Sequence, residues 1–277
     1  MGFDGQKAWR LLTGLAKRGK RAPGTVEHRE GIKYLFDLMK AVTPQSWLEP
    51  FSLQFRGEKI ECANICGYIP GKNSSSTLLI GSHFDTRWIA DNDPDPTKRD
   101  LPIPGVNDGT SGVVIILELA RVLRQKIPLQ NVVFVLFDAE DVGNIDGFEF
   151  SVGADHYARN GKIPPDRVIA LDMVGGKNMH LNIDLNSLSL PESKVMFEQL
   201  FIIGRRHGYP CFFNNTVNMI ISDHYPFLLK KIPSCILIDI GYPQWHTHED
   251  IIEHCSKDSL QYIGDVLYKF LTNEEIY

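Results

Sequence analysis

Histidine and carboxylate side chains stand beside the apolar segments of this sequence. Six of them are candidates for chemistry: His83, Asp108, Glu140, Asp141, Asp172 and His246. Carboxylates gathered at one place repel one another unless a cation is present. Imidazole nitrogen and carboxylate oxygen together suit Zn²⁺, whereas an all-oxygen Mg²⁺ or Ca²⁺ cage fits the histidines poorly. The residue types therefore predict a zinc site, provided that the fold brings these residues together.

Two of the candidates, Glu140 and Asp141, are adjacent in the sequence. Neighbouring side chains on an extended or turning segment point to different sides. One carboxylate can therefore bind a metal while the other faces a substrate. A partly desolvated carboxylate beside a metal can act as a general base and then as a general acid. This pair favours a catalytic site.

An alternation of short apolar runs and helical segments positions the candidates. Continuous apolar runs predict buried strands at 77–82, 131–137, 167–171 and 234–240. Apolar residues at helical spacing predict a helix over 110–124. Alternating strands and helices imply a mostly parallel sheet with helices on both faces. Because ligands of such folds bind beyond the carboxyl ends of the strands, we expect the candidates to converge at that edge.

The chain of 277 residues is 43% hydrophobic, which is enough for one large core. Since no linker divides it, we expect one catalytic domain over residues 1–277, with the first 20 or so residues at its periphery. The polar stretch GKNSSS at 71–76 is predicted to be a turn. The loop 86–107, rich in Asp and Pro, is expected to cover the mouth of the pocket.

Charge and composition argue against several partners and compartments. Lys and Arg total 29 against 34 Asp and Glu, with no long basic block, so nucleic acid is not an expected partner. The apolar runs are too short to span a bilayer. The N-terminus lacks the apolar stretch of a signal peptide, so we expect a cytoplasmic protein, or a periplasmic or secreted one if an export signal has been removed. The five cysteines include no CxxC pair, which argues against a thiolate zinc site.

Six short motifs follow one another from about residue 25 to the C-terminus. They are His83 with Asp85, Asn107-Asp108-Gly109 with Ser111-Gly112, Ala139-Glu140-Asp141, the segment 171–175 (LDMVG), Ser222-Asp223-His224 with Pro226-Phe227, and Trp245-His246-Thr247. This order resembles the M28 metallopeptidase and glutaminyl cyclase superfamily. The resemblance implies an α/β/α sandwich around a central mixed, mostly parallel twisted sheet.

One branch of that superfamily contains the zinc-dependent glutaminyl cyclases, and residues 87–112 resemble the bacterial enzymes of the animal type. The resemblance implies conversion of an N-terminal Gln of a peptide or protein to pyroglutamate, with release of ammonia. It also implies a single zinc ion held by Asp108, Asp141 and His246. Glu140 then matches the carboxylate that transfers protons, and Asp172 matches a residue that shares a hydrogen-bond network with it.

The substrate pocket of the cyclases has partial counterparts here. Trp245 precedes the ligand histidine, as in the cyclases, where it lines the pocket for the glutaminyl side chain. We expect Phe148 or Phe150 on the opposite wall. Ser222 also falls at the pocket, at a position where the cyclases carry an Asp that shares protons with the catalytic Glu.

The alternative branch contains the M28 aminopeptidases, which hold two zinc ions and hydrolyse N-terminal residues. Under that interpretation Asp108 bridges the ions, and His83 and Asp172 bind the second one. Glu140 then activates a water molecule rather than an amine. A non-catalytic relative that has kept the fold is a third possibility, and the sequence leaves the oligomeric state open.

Overall fold

A six-stranded sheet runs through the centre of the molecule. The computed structural model describes residues 2–272. The strands are β1 (Gln45–Phe55), β2 (Glu58–Ile69), β3 (Asn73–His83), β4 (Gln130–Phe137), β5 (Arg167–Asp172), β6 (Ile183–Asp184), β7 (Val217–Asn218) and β8 (Ser234–Ile238). The main sheet has the order β1-β2-β4-β3-β5-β8, and β6 pairs with β7 separately. β4, β3, β5 and β8 run parallel to one another, and β2 pairs antiparallel with both β1 and β4.

Helices cover both faces of this sheet. They are α1 (Gly5–Ala16), α2 (Val26–Val42), α3 (Thr110–Leu123), α4 (Val152–Asn160), α5 (Pro191–Arg206), α6 (Tyr225–Leu229) and α7 (Lys257–Thr272). Short 3₁₀ turns occur at 96–98, 210–213 and 252–254. The predicted α/β/α sandwich with a mixed, mostly parallel sheet is confirmed. No helix in the segment 2–272 has the length and apolar character needed to cross a membrane.

The side chains of the central strands alternate between two apolar clusters. In β3, Leu78 and Ile80 join the larger cluster, which contains residues of α1, α2, α3, α5 and α7. Leu79, between them, faces the smaller cluster, which contains residues of α4 and α6. Since both faces of these strands are buried, the sequence shows a continuous apolar run rather than an alternation with polar residues.

The N-terminal segment, expected at the periphery, belongs to the core. α1 packs against α3 and α7. Ala8, Leu12 and Leu15 recur at helical spacing and are buried in the larger cluster. Asp4 caps this helix by accepting hydrogen bonds from the backbone N–H groups of Gln6 and Lys7. The structure thus corrects the expectation, because this short apolar stripe has a complementary surface on two helices far along the chain.

Two predicted boundaries also differ from the structure. The polar stretch at 71–76 is a turn only in part, because β3 already begins at Asn73. The backbone N–H groups of Lys72 and Asn73 donate to the carbonyls of Pro128 and Leu129, and this pairing outweighs the polar composition. A short helix is also predicted from the sequence over 222–230, but α6 begins only at Tyr225. Residues 222–224 therefore lie in the turn before α6.

Candidate metal centre

The carboxyl ends of the parallel strands bring the six predicted residues together. His83 ends β3 and Asp172 ends β5, while the 140–141 pair follows β4. Asp108 and His246 lie in the connections after β3 and β8. β3 lies between β4 and β5 in the sheet. The connection from β3 to β4 runs over one face of the sheet, and the connection from β4 to β5 runs over the other. A crevice therefore opens at the carboxyl edge of these strands. All six side chains are buried there.

Asp108, Asp141 and His246 form one group with the geometry of a metal site. Their possible ligand atoms all lie within 4.8 Å of one another. His246 Nε2 lies 3.3 Å from Asp141 Oδ1 and 3.7 Å from Asp108 Oδ2. One imidazole and two carboxylates leave a fourth position of a tetrahedral zinc site open.

His83, Asp108 and Asp172 form a second group beside the first. Their possible ligand atoms also lie within 4.8 Å of one another. His83 Nε2 lies 3.1 Å from Asp108 Oδ1 and 3.4 Å from Asp172 Oδ1. Asp108 belongs to both groups, in the position of a bridging carboxylate.

Several buried polar atoms of this cluster lack a hydrogen-bond partner. They include Asp108 Oδ2, Asp141 Oδ2, His83 Nε2 and both carboxylate oxygens of Asp223. Asp172 differs, because Gly109 N donates to its Oδ1 and Ser222 Oγ to its Oδ2, each at 3.4 Å. A buried polar group without a partner is costly. The unpaired atoms of Asp108 and Asp141 fit a cation between them.

The protonation of the cluster reflects burial and crowding. Burial, with the neighbouring charge of Asp141, raises the pKa of Asp108 to about 7. Burial also raises the pKa of Glu140 well above its usual range, and it does the same for the Asp223 carboxyl. Burial alone would lower the pKa of His246, but Asp141 and Asp91 raise it to about 9. Without a metal, protons therefore neutralise part of the charge that a cation would otherwise balance.

Two further carboxylates, Asp85 and Asp250, fix the backbone of the predicted ligands. Asp85 accepts hydrogen bonds from the backbone N–H groups of Glu140 (3.0 Å) and Asp141 (3.1 Å). Asp250 accepts from the N–H of Asn107 at 2.9 Å and from that of Asp108 at 3.0 Å. Asp85 belongs to the first of the six motifs and Asp250 follows the last one, but only the three-dimensional structure shows which backbone each one holds.

Asp91 orients His246 from the loop 86–107. Its Oδ1 lies 3.0 Å from His246 Nδ1, which leaves Nε2 facing Asp108 and Asp141. Arg87 holds Asp91 in turn, with Nε–Oδ1 at 2.9 Å and Nη2–Oδ2 at 2.8 Å. A carboxylate on the second ring nitrogen is the usual support of a metal-binding histidine. Asp93 of the same loop contacts His248 Nδ1 at 2.9 Å, so His248 points to the loop.

Sharp backbone turns aim the candidate side chains. Left-handed conformations occur at Gly109 (φ 61°), Ala139 (58°), Met173 (47°) and His246 (57°). Each of these residues is, or directly adjoins, one of the six candidates. Such conformations cost energy in residues other than glycine and persist where the surroundings hold them, often at functional sites. At Gly109 a Cβ atom would lie only 2.4 Å from the carbonyl oxygen of His83.

A cavity of about 450 Å³ opens onto the cluster. Trp245, Phe150 and Ser222 line it together with Glu140, and the ring centroids of Trp245 and His246 lie 4.3 Å apart. Asp91 and Asn92 place the loop 86–107 at its wall. Phe148 instead packs on Phe55, with ring centroids 5.8 Å apart, and does not line the cavity.

The sheet, its covering helices and this buried cluster of carboxylates and histidines form a fold of the zinc-exopeptidase type. Residues 64–271 match peptidase family M28, and the chain belongs to that family. A solved Zn-dependent exopeptidase from Parabacteroides distasonis is 29% identical, with a TM-score of 0.90 and 99% of each chain covered. A glutaminyl cyclase from Bacteroides thetaiotaomicron, solved with N-acetylhistamine, is 28% identical, with a TM-score of 0.90 and 99% of each chain covered.

Among curated proteins, the aminopeptidase YwaD of Bacillus subtilis is 30% identical over 171 residues, which is 59% of this chain. The chain spans only 36% of the length of that relative. The matches support zinc as the metal, and the related proteins include both cyclases and aminopeptidases.

Proposed function

We propose that this chain is a zinc-dependent glutaminyl-peptide cyclotransferase that converts the N-terminal Gln of peptides or proteins to pyroglutamate and releases ammonia. The catalytic domain is the whole chain, residues 1–277, and one zinc ion is held by Asp108, Asp141 and His246. The observation that carries the proposal is the contrast in hydrogen bonding among the carboxylates. Asp108 and Asp141 each keep an unpaired oxygen, whereas both oxygens of Asp172 accept hydrogen bonds.

A zinc ion held by these three residues would supply a Lewis acid, to polarise the side-chain amide of the substrate and stabilise the charge that develops on its oxygen. The three residues suit the ion in donor type, since they offer one imidazole nitrogen and two carboxylates. Asp85, Asp91 and Asp250 support the proposal, because they hold the three ligand-bearing segments in place.

Glu140 moves the proton in this reaction. It accepts a proton from the α-amine of the substrate, whose nitrogen attacks the δ-carbon of the side-chain amide. A carbon–nitrogen bond closes the five-membered ring, the bond to the amide nitrogen breaks, and Glu140 returns the proton to the departing ammonia. The raised pKa makes Glu140 a stronger base than an ordinary carboxylate, which favours proton exchange with an amine. Ser151 Oγ donates to Glu140 Oε1 at 3.2 Å and orients the carboxylate.

The walls of the cavity hold the substrate in the attacking geometry. Trp245 and Phe150 pack the methylene groups of the glutaminyl side chain. Asp172 orients the substrate amine or Glu140, and Ser222 donates to Asp172 from the position where the cyclases carry an Asp. Placing the amine and the amide carbon in contact removes much of the entropic barrier to ring closure.

The second candidate function is that of a di-zinc aminopeptidase. The observation in its favour is the group formed by His83, Asp108 and Asp172, in which His83 Nε2 has no hydrogen-bond partner. Glu140 would then take a proton from water instead of from the amine. The two functions differ in the number of metal ions and in the product.

The test offers zinc-loaded protein a Gln-initiated peptide and leucine amide in parallel. We expect ammonia and pyroglutamate from the first and no leucine from the second, with one zinc per chain. Leucine release with two zinc ions per chain would establish the aminopeptidase instead. Glu140→Gln is the matched control, since it should keep the metal and lose turnover. Neither product from a chain with bound zinc would support the non-catalytic alternative.

A further inference from the structure

We propose that the residues following the substrate's N-terminal Gln bind in an apolar groove beside the catalytic cavity, so that peptides with apolar second and third residues are the preferred substrates. This inference rests on the proposed function in requiring a peptide N-terminus in the cavity. The groove is lined by six apolar or aromatic residues, Phe150, Val152, Ile221, Tyr225, Pro226 and Leu229, and by three charged ones, Glu149, Asp155 and Arg159.

The groove is continuous with the catalytic cavity. Its volume is about 380 Å³, and Glu149, Phe150 and Ile221 line both spaces. α4 and α6, which contact each other, form its floor and sides. A chain whose first residue occupies the catalytic cavity would therefore pass over Phe150 and Ile221 into this groove. One extended residue advances by about 3.5 Å, so the second and third residues lie nearest to it.

Exposed apolar side chains mark this path. Met219 is 72% exposed, Leu229 64% and Ile221 54%, and the first two are the highest values among the large hydrophobic side chains of residues 2–272. Leu229 lines the groove, Met219 lines the catalytic cavity, and Ile221 lines both. Adjacent exposed apolar side chains rimmed by polar residues are characteristic of binding surfaces. A peptide with apolar residues would bury them.

The charges of the groove favour uncharged over acidic substrate residues. Asp155 and Arg159 pair with each other, with Nε–Oδ2 at 2.8 Å, and so balance one another. Glu149 adds a carboxylate at the border with the catalytic cavity. An acidic second residue would be repelled by this border.

A second large cavity is a poorer path for the peptide. It measures about 640 Å³, and polar residues such as Lys177, His180 and Asn182 line it. None of its lining residues also lines the catalytic cavity. The apolar groove, in contrast, shares a wall with the catalytic cavity.

The experiment compares four substrates on the zinc-loaded protein: glutamine amide and the amidated peptides Gln-Leu-Leu-Gly, Gln-Gly-Gly-Gly and Gln-Asp-Asp-Gly. We expect kcat/KM to be highest for the Leu peptide and lowest for the Asp peptide. Leu229→Ser should lower kcat/KM for the Leu peptide about fivefold, mainly through KM, and leave glutamine amide unchanged. Val195→Ser, on the exposed side of α5, is the matched control and should change neither.

Equal kcat/KM values for the Leu and Gly peptides would overturn the proposal that the groove binds the substrate. An unchanged preference of Leu229→Ser for the Leu peptide would do the same. No turnover of any substrate, glutamine amide included, would count against the proposed function and not against the groove. In that case calorimetric binding of the Leu and Gly peptides decides. Tighter binding of the Leu peptide that is lost in Leu229→Ser supports the groove, and equal binding overturns it.

Discussion

Asp108 and Asp141 are buried as completely as Asp85, Asp138 and Asp250, but the oxygens of the two sets have different partners. Asp138 Oδ1 lies 2.7 Å from His28 Nε2, and its Oδ2 accepts from Ala63 N at 2.8 Å. Both oxygens of Asp85 and of Asp250 also accept hydrogen bonds. Asp108 and Asp141 each retain an oxygen without a partner.

Within this buried cluster, the carboxylates that position the backbone differ from those that are available to bind a ligand. A carboxylate with both oxygens paired holds a segment in place and adds to the stability of the fold. A buried carboxylate with a free oxygen reduces the stability of the metal-free protein, and only a ligand recovers that cost. Asp223 also has no hydrogen-bond partner for either oxygen, and burial raises its pKa well above the usual range. The unpaired groups thus gather at the cavity, while the paired groups surround them.

The largest expected effect comes from removing a predicted ligand. Asp108→Asn should lower turnover by about 10³-fold, because the metal that stabilises the developing oxyanion is lost. The metal-free variant should nevertheless be at least as stable as the metal-free wild type at pH 8. The pKa of Asp108 is raised to about 7, so its charge above that pH is unfavourable in the folded state. Zinc content and urea unfolding measure the two effects.

The next effect concerns a paired carboxylate. Asp138→Asn should lower the free energy of unfolding by about 3 kcal/mol, because it removes the buried partner of His28. Zinc stoichiometry should stay that of the wild type. Urea unfolding of this variant beside Asp108→Asn gives the direct contrast. If the two metal-free variants are destabilised equally, the carboxylates with paired oxygens do not differ from those with a free oxygen in their effect on stability.

A smaller effect is expected at the support of His246. Asp91→Asn should weaken zinc binding by about 10- to 100-fold, because the imidazole loses the carboxylate that orients it. Some stability should also be lost, because the substitution weakens the pair between Asp91 and Arg87, whose side chain is only 2% exposed. Competition with a chelator measures the affinity, and Asp95→Asn in the same loop serves as the control. Unchanged affinity in Asp91→Asn would mean that Asp91 does not support a ligand.

The smallest effect concerns pH. Burial alone would lower the pKa of His28, but Asp138 raises it above the usual value of 6.5. The stability from this pair is fully present below pH 6.5 and is lost as the pH rises through the raised pKa of the folded state. The zinc-loaded wild type should therefore lose more stability than His28→Gln between pH 6 and pH 9. If the free energy of unfolding changes equally with pH in the two proteins, His28 keeps one protonation state over this range.

The sequence predicted the sheet and the meeting of the six residues, because continuous apolar runs reveal buried parallel strands and a parallel sheet aligns the ends of its strands. It did not predict that α1 joins the core, since a short apolar stripe does not reveal its distant partners. It also did not identify Asp91 as the support of His246, because 155 residues separate the two in the chain. Such pairings depend on how the loops fold back.

The sequence also could not show which of two phenylalanines lines the catalytic cavity. Phe148 and Phe150 were equal candidates in the sequence. Gly147, with φ of 78°, turns the chain just before them. Phe148 then packs on Phe55, while Phe150 faces the cavity, with Arg87 5.6 Å from its ring centroid. Local backbone conformation, which composition does not specify, decides between the two.

Anomalous scattering at the zinc edge from crystals of the protein tests the central claim most directly. We predict one peak, from a zinc ion bound by Asp108, Asp141 and His246, and no peak at the buried pair of His28 and Asp138. A second peak between His83 and Asp172, or a single peak with different ligands, would contradict this prediction.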